Sequence, residues 1–379
     1  MTETSVGRSL VDRIVEAVVS VTGPGPLLNC PPFVEQEDIS AVRRQADDVS
    51  RYEYVTALED RLRRACGVRS AVAVSSGSAA LQLALKLVGV GPGDLVVVPS
   101  LSFVAAANAV AHAHAVPFFV DALETDFGID YNYIEWVLWG AGLTPFRRIA
   151  AVVAVHMLGH PCSMNKINEI AARCNVPVIE DAAEALGSRF REHPCGSMGK
   201  VAVLSFNNNK IVTGGGGGAL LTNDEGLGDR ARVLATTART DRESFVEHSS
   251  VAWNYRIPTL CAALAASQTE RLDQLVAAKQ ALAQAYNVAF RDVEEVRFHR
   301  CADDCSSNYW LSTITVLPSC KDQVLTALAS RKIYCRSMFT PMHVTPYAGY
   351  LRGPMTVTEK VFQQTICLPS GIALAKRFL

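Results

Sequence analysis

From residue 71 onward, short apolar runs alternate with stretches of helical spacing. The runs occupy 71–75, 95–99, 116–120, 149–155, 176–179 and 201–206, and their apolar residues are consecutive rather than alternating. Strands covered on both faces read this way, so the pattern predicts an α/β fold with a mostly parallel sheet flanked by helices. Between the fourth and fifth runs, Met164, Ile167, Ile170, Ala171 and Cys174 recur at helical spacing behind Ser163, a residue type suited to an N-cap. A βαβ unit follows. Past residue 255 the texture changes. Residues 260–286 read as one long Ala/Leu/Gln-rich helix, and 296–379 carry fewer apolar runs and more turn residues. A large domain over 1–255 and a smaller C-terminal domain over 256–379 are expected.

Composition narrows the function classes. A chain of 379 residues can hold about two or three domains. Lys+Arg at 36 against Asp+Glu at 37 leaves a formal charge of -1, so no broad basic field faces a phosphate backbone and nucleic acid is not an expected partner. Charged residues are 19%, below the roughly 25% of typical soluble domains, which points to a large core or to surface buried between subunits. The 11 cysteines include no CxxC pair and follow no legible secretory leader, so a reducing, cytoplasmic setting with core-like thiols is expected. Residues 100–120 carry no charged side chain and approach the length of a membrane span. Asn108, His112, His114 and Pro117 interrupt them, and a buried helix running into a strand is expected, with no membrane partner.

Three stretches carry candidate chemistry. In Ser75-Ser76-Gly77-Ser78-Ala79-Ala80 a buried strand hands over to a helix, whose first N–H groups and small hydroxyl residues can form a phosphate cup; an ordinary capped turn would look the same. In Glu180-Asp181-Ala182-Ala183-Glu184 an acid ends a buried strand, where open α/β sheets bind ligands. Asp181 there could be a metal ligand, a helix N-cap in a capping box, or the partner of a cationic ring nitrogen. In the third, a strand leads through Asn207-Asn208-Asn209 to Lys210, then to five glycines at 214–218 and another apolar run. Lysines among apolar neighbours serve as amine nucleophiles that form Schiff bases, and glycines allow close backbone approach. No Gly-Lys-Ser/Thr closes a P-loop. Together the three fit pyridoxal phosphate, which needs a lysine, a carboxylate facing its ring nitrogen and a phosphate cup.

Six ordered pieces resemble the DegT/DnrJ-type sugar aminotransferases: Ser76 to Leu81, Ser102 to Asn108, His156 to Pro161, Glu180 to Glu184, Ser205 to Lys210, and Trp253 to Ile257. That resemblance spans almost the whole chain. It implies an aspartate aminotransferase-like fold (fold type I), whose large domain holds the mostly parallel sheet beside a smaller C-terminal α+β domain. It also implies that pyridoxal 5'-phosphate alternates with its pyridoxamine form. Lys210 would be the Schiff-base lysine and proton shuttle, and Asp181 the partner of the ring nitrogen. Phe103 would stack on the ring, and Gly77, Ser78, Ala79 and Ser205 would hold the phosphate. Ala183 would contact the cofactor, and Glu184 would lie near its 3-hydroxyl. Asn254 and Arg256 would reach a neighbouring subunit's phosphate and substrate, making the active unit a homodimer, and segment 1–60 would help line the sugar site.

The stretches Phe206 to Ile211, Ala235 to Ala238 and Ser307 to Leu311 are most similar to the branch that aminates C4 of nucleotide-linked 4-keto-6-deoxy-N-acetylhexosamines, as in bacillosamine and legionaminic acid pathways. L-glutamate would be the donor, in a ping-pong cycle. The chain departs from that branch at Asn208, around Ser76 to Ala79, and at Arg51 to Tyr54, and the last departure leaves the sugar and its nucleotide open. A sugar dehydratase of the same fold would carry histidine in place of Lys210, and a non-catalytic regulator would not need Asp181 and Lys210 together. By residue type His156, His160, Cys162, His193 and Cys195 could hold zinc, but their spacing fits no standard site and no metal is expected. Cys301 and Cys305 are expected as free thiols, and Trp310 as a packing residue close to the sugar nucleotide.

Overall fold

The computed structural model describes residues 9–50, 52–139, 148–241, 245–344 and 346–379. Three helices, α1 (Leu10–Thr22), α2 (Gln36–Ala46) and α3 (Glu53–Cys66), precede the first strand. The apolar runs become β1 (Ser70–Val74), β2 (Leu95–Pro99), β3 (Val116–Val120), β4 (Ile149–Val155) and β5 (Val178–Asp181). A short hairpin of β6 (Arg189–Phe190) and β7 (His193–Pro194) leads on to β8 (Val201–Ser205) and β9 (Gly218–Thr222). The fifth run starts two residues later than its composition implies. Pro177 has no N–H to donate, so pairing with β4 begins at Val178 and continues through Asp181. Pro117 is tolerated because β3 is an edge strand.

The strands pair in the order β1-β9-β8-β5-β4-β2-β3. Every neighbouring pair is parallel except those made by β9, which is antiparallel to both β1 and β8. Helices cover both faces: α4 (Gly77–Leu87), α5 (Ala105–His112), α6 (Tyr131–Leu138), α7 (Met164–Arg173), α8 (Glu225–Ala235) and α9 (Thr259–Thr269). Along one face Val72, Val96, Val98, Val153, Ile179 and Val203 share a core with α4, α5 and α8. On the other face Val97, Val152 and Ala154 pack on α6 and α7, while Ala73, Ala202 and Leu204 pack on α3 and α9. Each fully buried valine contributes about 1.5–3 kcal/mol. Residues 100–120 form α5 running into β3, as expected, and among the described residues no helix is long and apolar enough to cross a membrane.

The stretch 260–286 is not one helix. It breaks between α9 and α10 (Leu272–Ala289), where Arg271 leaves helical φ/ψ and both oxygens of buried Asp38 accept from its guanidinium at 2.9 and 3.0 Å. No glycine or proline marks that break; a contact with α2, some 230 residues earlier, accompanies it. After the hairpin of β10 (Arg239–Asp241) and β11 (Val246–His248), the C-terminal half adds β12 (Arg297–Phe298), β13 (Cys305–Ser306), β14 (Thr313–Thr315) and α11 (Pro318–Ser330). The chain ends through β15 (Arg336–Ser337), α12 (Thr356–Gln364), β16 (Thr365–Cys367) and α13 (Ile372–Ala375). A second sheet runs β12-β14-β16-β15, while β13 joins β6. Helix α1 shares its core with this half: Ile14 and Val18 pack with Leu282, Ile314, Leu328 and Ile366.

Candidate active site

Strands β1, β2, β4, β5 and β8 point the same way, so their carboxyl ends deliver residues 75–79, 100–103, 156, 181 and 205 to one edge of the sheet. That edge is where open α/β sheets place ligands. The antiparallel β9 starts at the same edge, which brings the glycine run there too. A Cβ on Gly218 would lie 2.6 Å from the Gly77 nitrogen and the Leu204 carbonyl oxygen, and Gly217 has a φ of +106°. The run is therefore explained first by a crossing of the chain's own backbone.

A cavity of about 300 Å³ opens at this edge. It is lined by Gly77, Ser78, Phe103, Asp181, Ala183, Glu184, Ser205 and Lys210, eight of the residues expected from sequence. Ala79 lies just behind the lining, its N–H donating to the capping hydroxyl of Ser76 at 3.0 Å. Asn254 and Arg256 are exposed and outside the cavity, bridged to Thr236 and Val74. Of the Arg51 to Tyr54 departure, residue 51 lies outside the described residues, as do 1–8 of the N-terminal segment.

The charged groups are ordered by burial. Asp181 ends β5 and is followed by turns, so no helix is capped there; Oδ1 accepts from the Ala183 N–H at 3.1 Å. Burial pushes its carboxyl up to about 6, Glu184 adds to the rise, and Lys210 opposes it. A carboxyl in this state lacks a close cation, and a protonated ring nitrogen would be one. Burial also raises Glu184, against the pull of Lys210 and of the Leu158 N–H, which donates to Oε2 at 2.7 Å. Leu158 holds a φ of 58°, a left-handed conformation costing roughly 1–2 kcal/mol, and this turn aims its N–H at the carboxylate. Lys210 Nζ stands 3.5 Å from Glu184 Oε1 and 3.8 Å from the centre of the Trp310 ring. Phe103 is 55% exposed and meets Phe339 in an edge-to-face contact, so much of its ring is open to a flat ligand. Helix α4 opens at Gly77 against the Ser205 hydroxyl, so its positive end and two serines face the cavity. An amine, a carboxyl short of a cation, an exposed aromatic ring and an anion cup together fit pyridoxal phosphate.

The zinc set behaves differently. The fold brings His156, Cys162 and Cys195 together with Glu180, while His193 is exposed on β7. Glu180 is already saturated. His156 Nε2 and the Gly196 N–H donate to Oε1 at 2.9 and 2.6 Å, and the N–H groups of Met198 and Gly199 donate to Oε2 at 2.7 and 2.8 Å. A carboxylate offers about four lone-pair sites, so none is left for an ion. Burial alone would raise Glu180, but the His156 bond and these N–H groups outweigh it and hold the carboxyl below its ordinary value. Glu180→Ala strands a buried imidazole and three N–H groups and is expected to cost about 3–5 kcal/mol, read as a lower urea midpoint at unchanged slope. A midpoint within experimental error of wild type would refute that role.

Asn207, Asn209, Trp310, Arg336 and Phe339 also line the cavity. Trp310, expected as a packing residue close to the sugar nucleotide, is buried at this wall with its ring against Lys210. Arg336 comes from β15 of the second sheet and Phe339 from the irregular segment that follows it, more than a hundred residues past Lys210, and no local pattern announces them.

Residues 33–377 match the DegT/DnrJ/EryC1/StrS aminotransferase family. The chain is 34% identical over 328 residues to the GDP-perosamine synthase of Caulobacter vibrioides, covering 85% of this chain and 86% of that one. It is 32% identical to the dTDP-3-amino-3,4,6-trideoxy-alpha-D-glucose transaminase of Streptomyces venezuelae, covering 81% and 79%. Among solved structures, the aminotransferase TlmJ of Streptoalloteichus hindustanus superposes with a TM-score of 0.85 at 28% identity, covering 93% of this chain and 97% of that one.

Proposed function

The chain belongs to the DegT/DnrJ/EryC1/StrS aminotransferase family, and from that premise we propose that it moves an amino group from L-glutamate to the 4-keto carbon of a nucleotide-linked deoxysugar. Pyridoxal phosphate is the cofactor of this family. When bound, it supplies a conjugated ring that takes up the electron pair of a breaking Cα–H bond. The observation that carries the reading is the convergence of Lys210, Asp181, Glu184, Ser78 and Ser205 on one cavity beside the exposed ring of Phe103.

In this reading the Lys210 amine would hold the cofactor through its aldehyde carbon, the aldehyde oxygen leaving as water, and once the donor's amine takes its place it would carry the proton between donor carbon and cofactor carbon. The Asp181 carboxylate keeps the ring nitrogen protonated, and Glu184 orients the 3-hydroxyl. Gly77, Ser78, Ala79 and Ser205 hold the phosphate at the start of α4, with Ala183 against the ring. Asn254 and Arg256, exposed and outside the lining of their own cavity, serve the site of a second copy in a cytoplasmic homodimer. The sugar of the similar branch is a 4-keto-6-deoxy-N-acetylhexosamine carried on UDP or GDP.

The two named relatives differ in nucleotide, GDP in one and dTDP in the other, so the substrate must be tested directly. Holoenzyme with L-glutamate is expected to aminate one member of a panel of UDP-, GDP-, CDP- and dTDP-linked ketosugars. 2-Oxoglutarate should appear one for one, with kcat/KM favouring the 4-keto over the 3-keto isomer by about tenfold or more. Preference for a 3-ketosugar, or amination without glutamate turnover, would count against the assignment.

A further inference from the structure

Helix α10 carries Lys279, which is 2% exposed. Its ammonium donates to the Trp310 carbonyl at 2.8 Å and to the Ser370 carbonyl. Both acceptors are neutral, and among the described residues no carboxylate pairs with it. A buried cation answered only by carbonyls is costly, and an apolar side chain of similar volume is often as stable or more so. Stability alone therefore gives no reason for a lysine here. What it holds does.

Trp310 is fixed at every polar atom. Its N–H donates to Asn308 Oδ1 at 2.8 Å, its carbonyl accepts from Lys279, and Nε1 donates to the Asn209 carbonyl at 2.7 Å, next to Lys210. The preceding Tyr309 sits at a φ of 46°, a left-handed conformation that persists only where the surroundings over-determine it. The face of the clamped indole is the surface on which the Lys210 amine rests.

We propose that Lys279 is a positioning residue that, through the Trp310 carbonyl, fixes the indole on which the Lys210 amine docks whenever that amine is not bonded to the cofactor. This rests on the reading of Lys210 as the reactive amine. An amine docked between Trp310 and Glu184 stays within reach of the cavity instead of sampling its long-chain rotamers, and an ångström of misplacement can cost about 10²-fold in rate. Burial pushes Lys279 down to about 8, with the Cys30 thiol opposing. Cys30, which precedes α2 and donates to the Asn209 carbonyl at 3.2 Å, is itself pushed up by burial and faces both Lys279 and Lys210. Tyr286, further along α10, is pushed well above its ordinary value by burial. Lys279 is therefore the group that changes charge near pH 8. Below it the charge-assisted bond to Trp310 is in place, and above it the bond weakens.

The decisive readout needs no cofactor. The chain has four tryptophans, and Trp310→Phe assigns one indole N–H resonance of the apoprotein. That resonance is expected to shift with a midpoint near pH 8 in wild type and in Lys210→Ala, and to stay constant in Lys279→Met and Lys279→Gln. In the holoenzyme, Lys279→Met should lower kcat about tenfold or more with KM for the ketosugar little changed and cofactor absorbance retained. An indole that does not titrate in wild type overturns the proposal, as does a titration that survives Lys279→Met or vanishes in Lys210→Ala. Loss of cofactor absorbance in wild type would instead strike the reading of Lys210 and leave the indole result standing.

Discussion

Lys210→Ala is expected to lower kcat by on the order of 10⁴-fold, because in the proposed reading one side chain supplies both the covalent partner of the cofactor and the proton carrier. Borohydride treatment should fix one cofactor mass on the peptide containing residue 210 in wild type and none in the variant. The fold should persist, since Lys210 makes one long contact to Glu184 and one to an indole face rather than filling a core. Glu184 loses its cation and is expected to rise further, so the variant's thermal stability should fall more steeply than wild type's as pH increases above 5. A variant that keeps more than about a hundredth of wild-type kcat would remove Lys210 from the reaction.

The sheet was legible because strands buried on both faces write unbroken apolar runs, and β2, β3 and β4 match their runs residue for residue. The cavity residues Ser78, Asp181 and Ser205 were legible because each sits at or just past the carboxyl end of one of those runs. Ser78, Asp181 and Ser205 meet only because β1, β5 and β8 share a direction, with β9 inserted between β1 and β8. What stayed hidden depends on contacts far apart in the chain. The α9/α10 break coincides with Arg271 reaching Asp38, and the outer wall of the cavity, Arg336 and Phe339, arrives with the second sheet. The buried cluster around Glu180 shows the same limit in reverse. The spacing of His156, Cys162 and Cys195 fits no standard metal site, yet the fold gathers them around Glu180, whose oxygens are taken up by hydrogen bonds.

Asp181→Asn should separate function from stability with opposite signs. Activity is expected to fall by on the order of 10²–10³-fold, because the amide no longer holds the ring nitrogen protonated where charge develops. Apoprotein stability should move the other way. Folding raises the carboxyl from its ordinary 3.8 to about 6, so between those values the folded state binds more protons than the unfolded one and stability falls as pH rises. The cost is absent below 3.8, fully present above 6, and amounts to roughly 3 kcal/mol. The substituted amide can still accept from the Ala183 N–H but carries no charge to desolvate. The apoprotein variant should therefore unfold at a higher urea concentration than wild type at pH 7.5, and the gap should close as pH is lowered towards 4. Adding the cofactor should reverse the order at pH 7.5, since only the carboxylate gains a cationic partner. A gap that does not change with pH would mean that burial of this carboxyl is already compensated within the protein, and the case for a cationic ring nitrogen in front of it would fall.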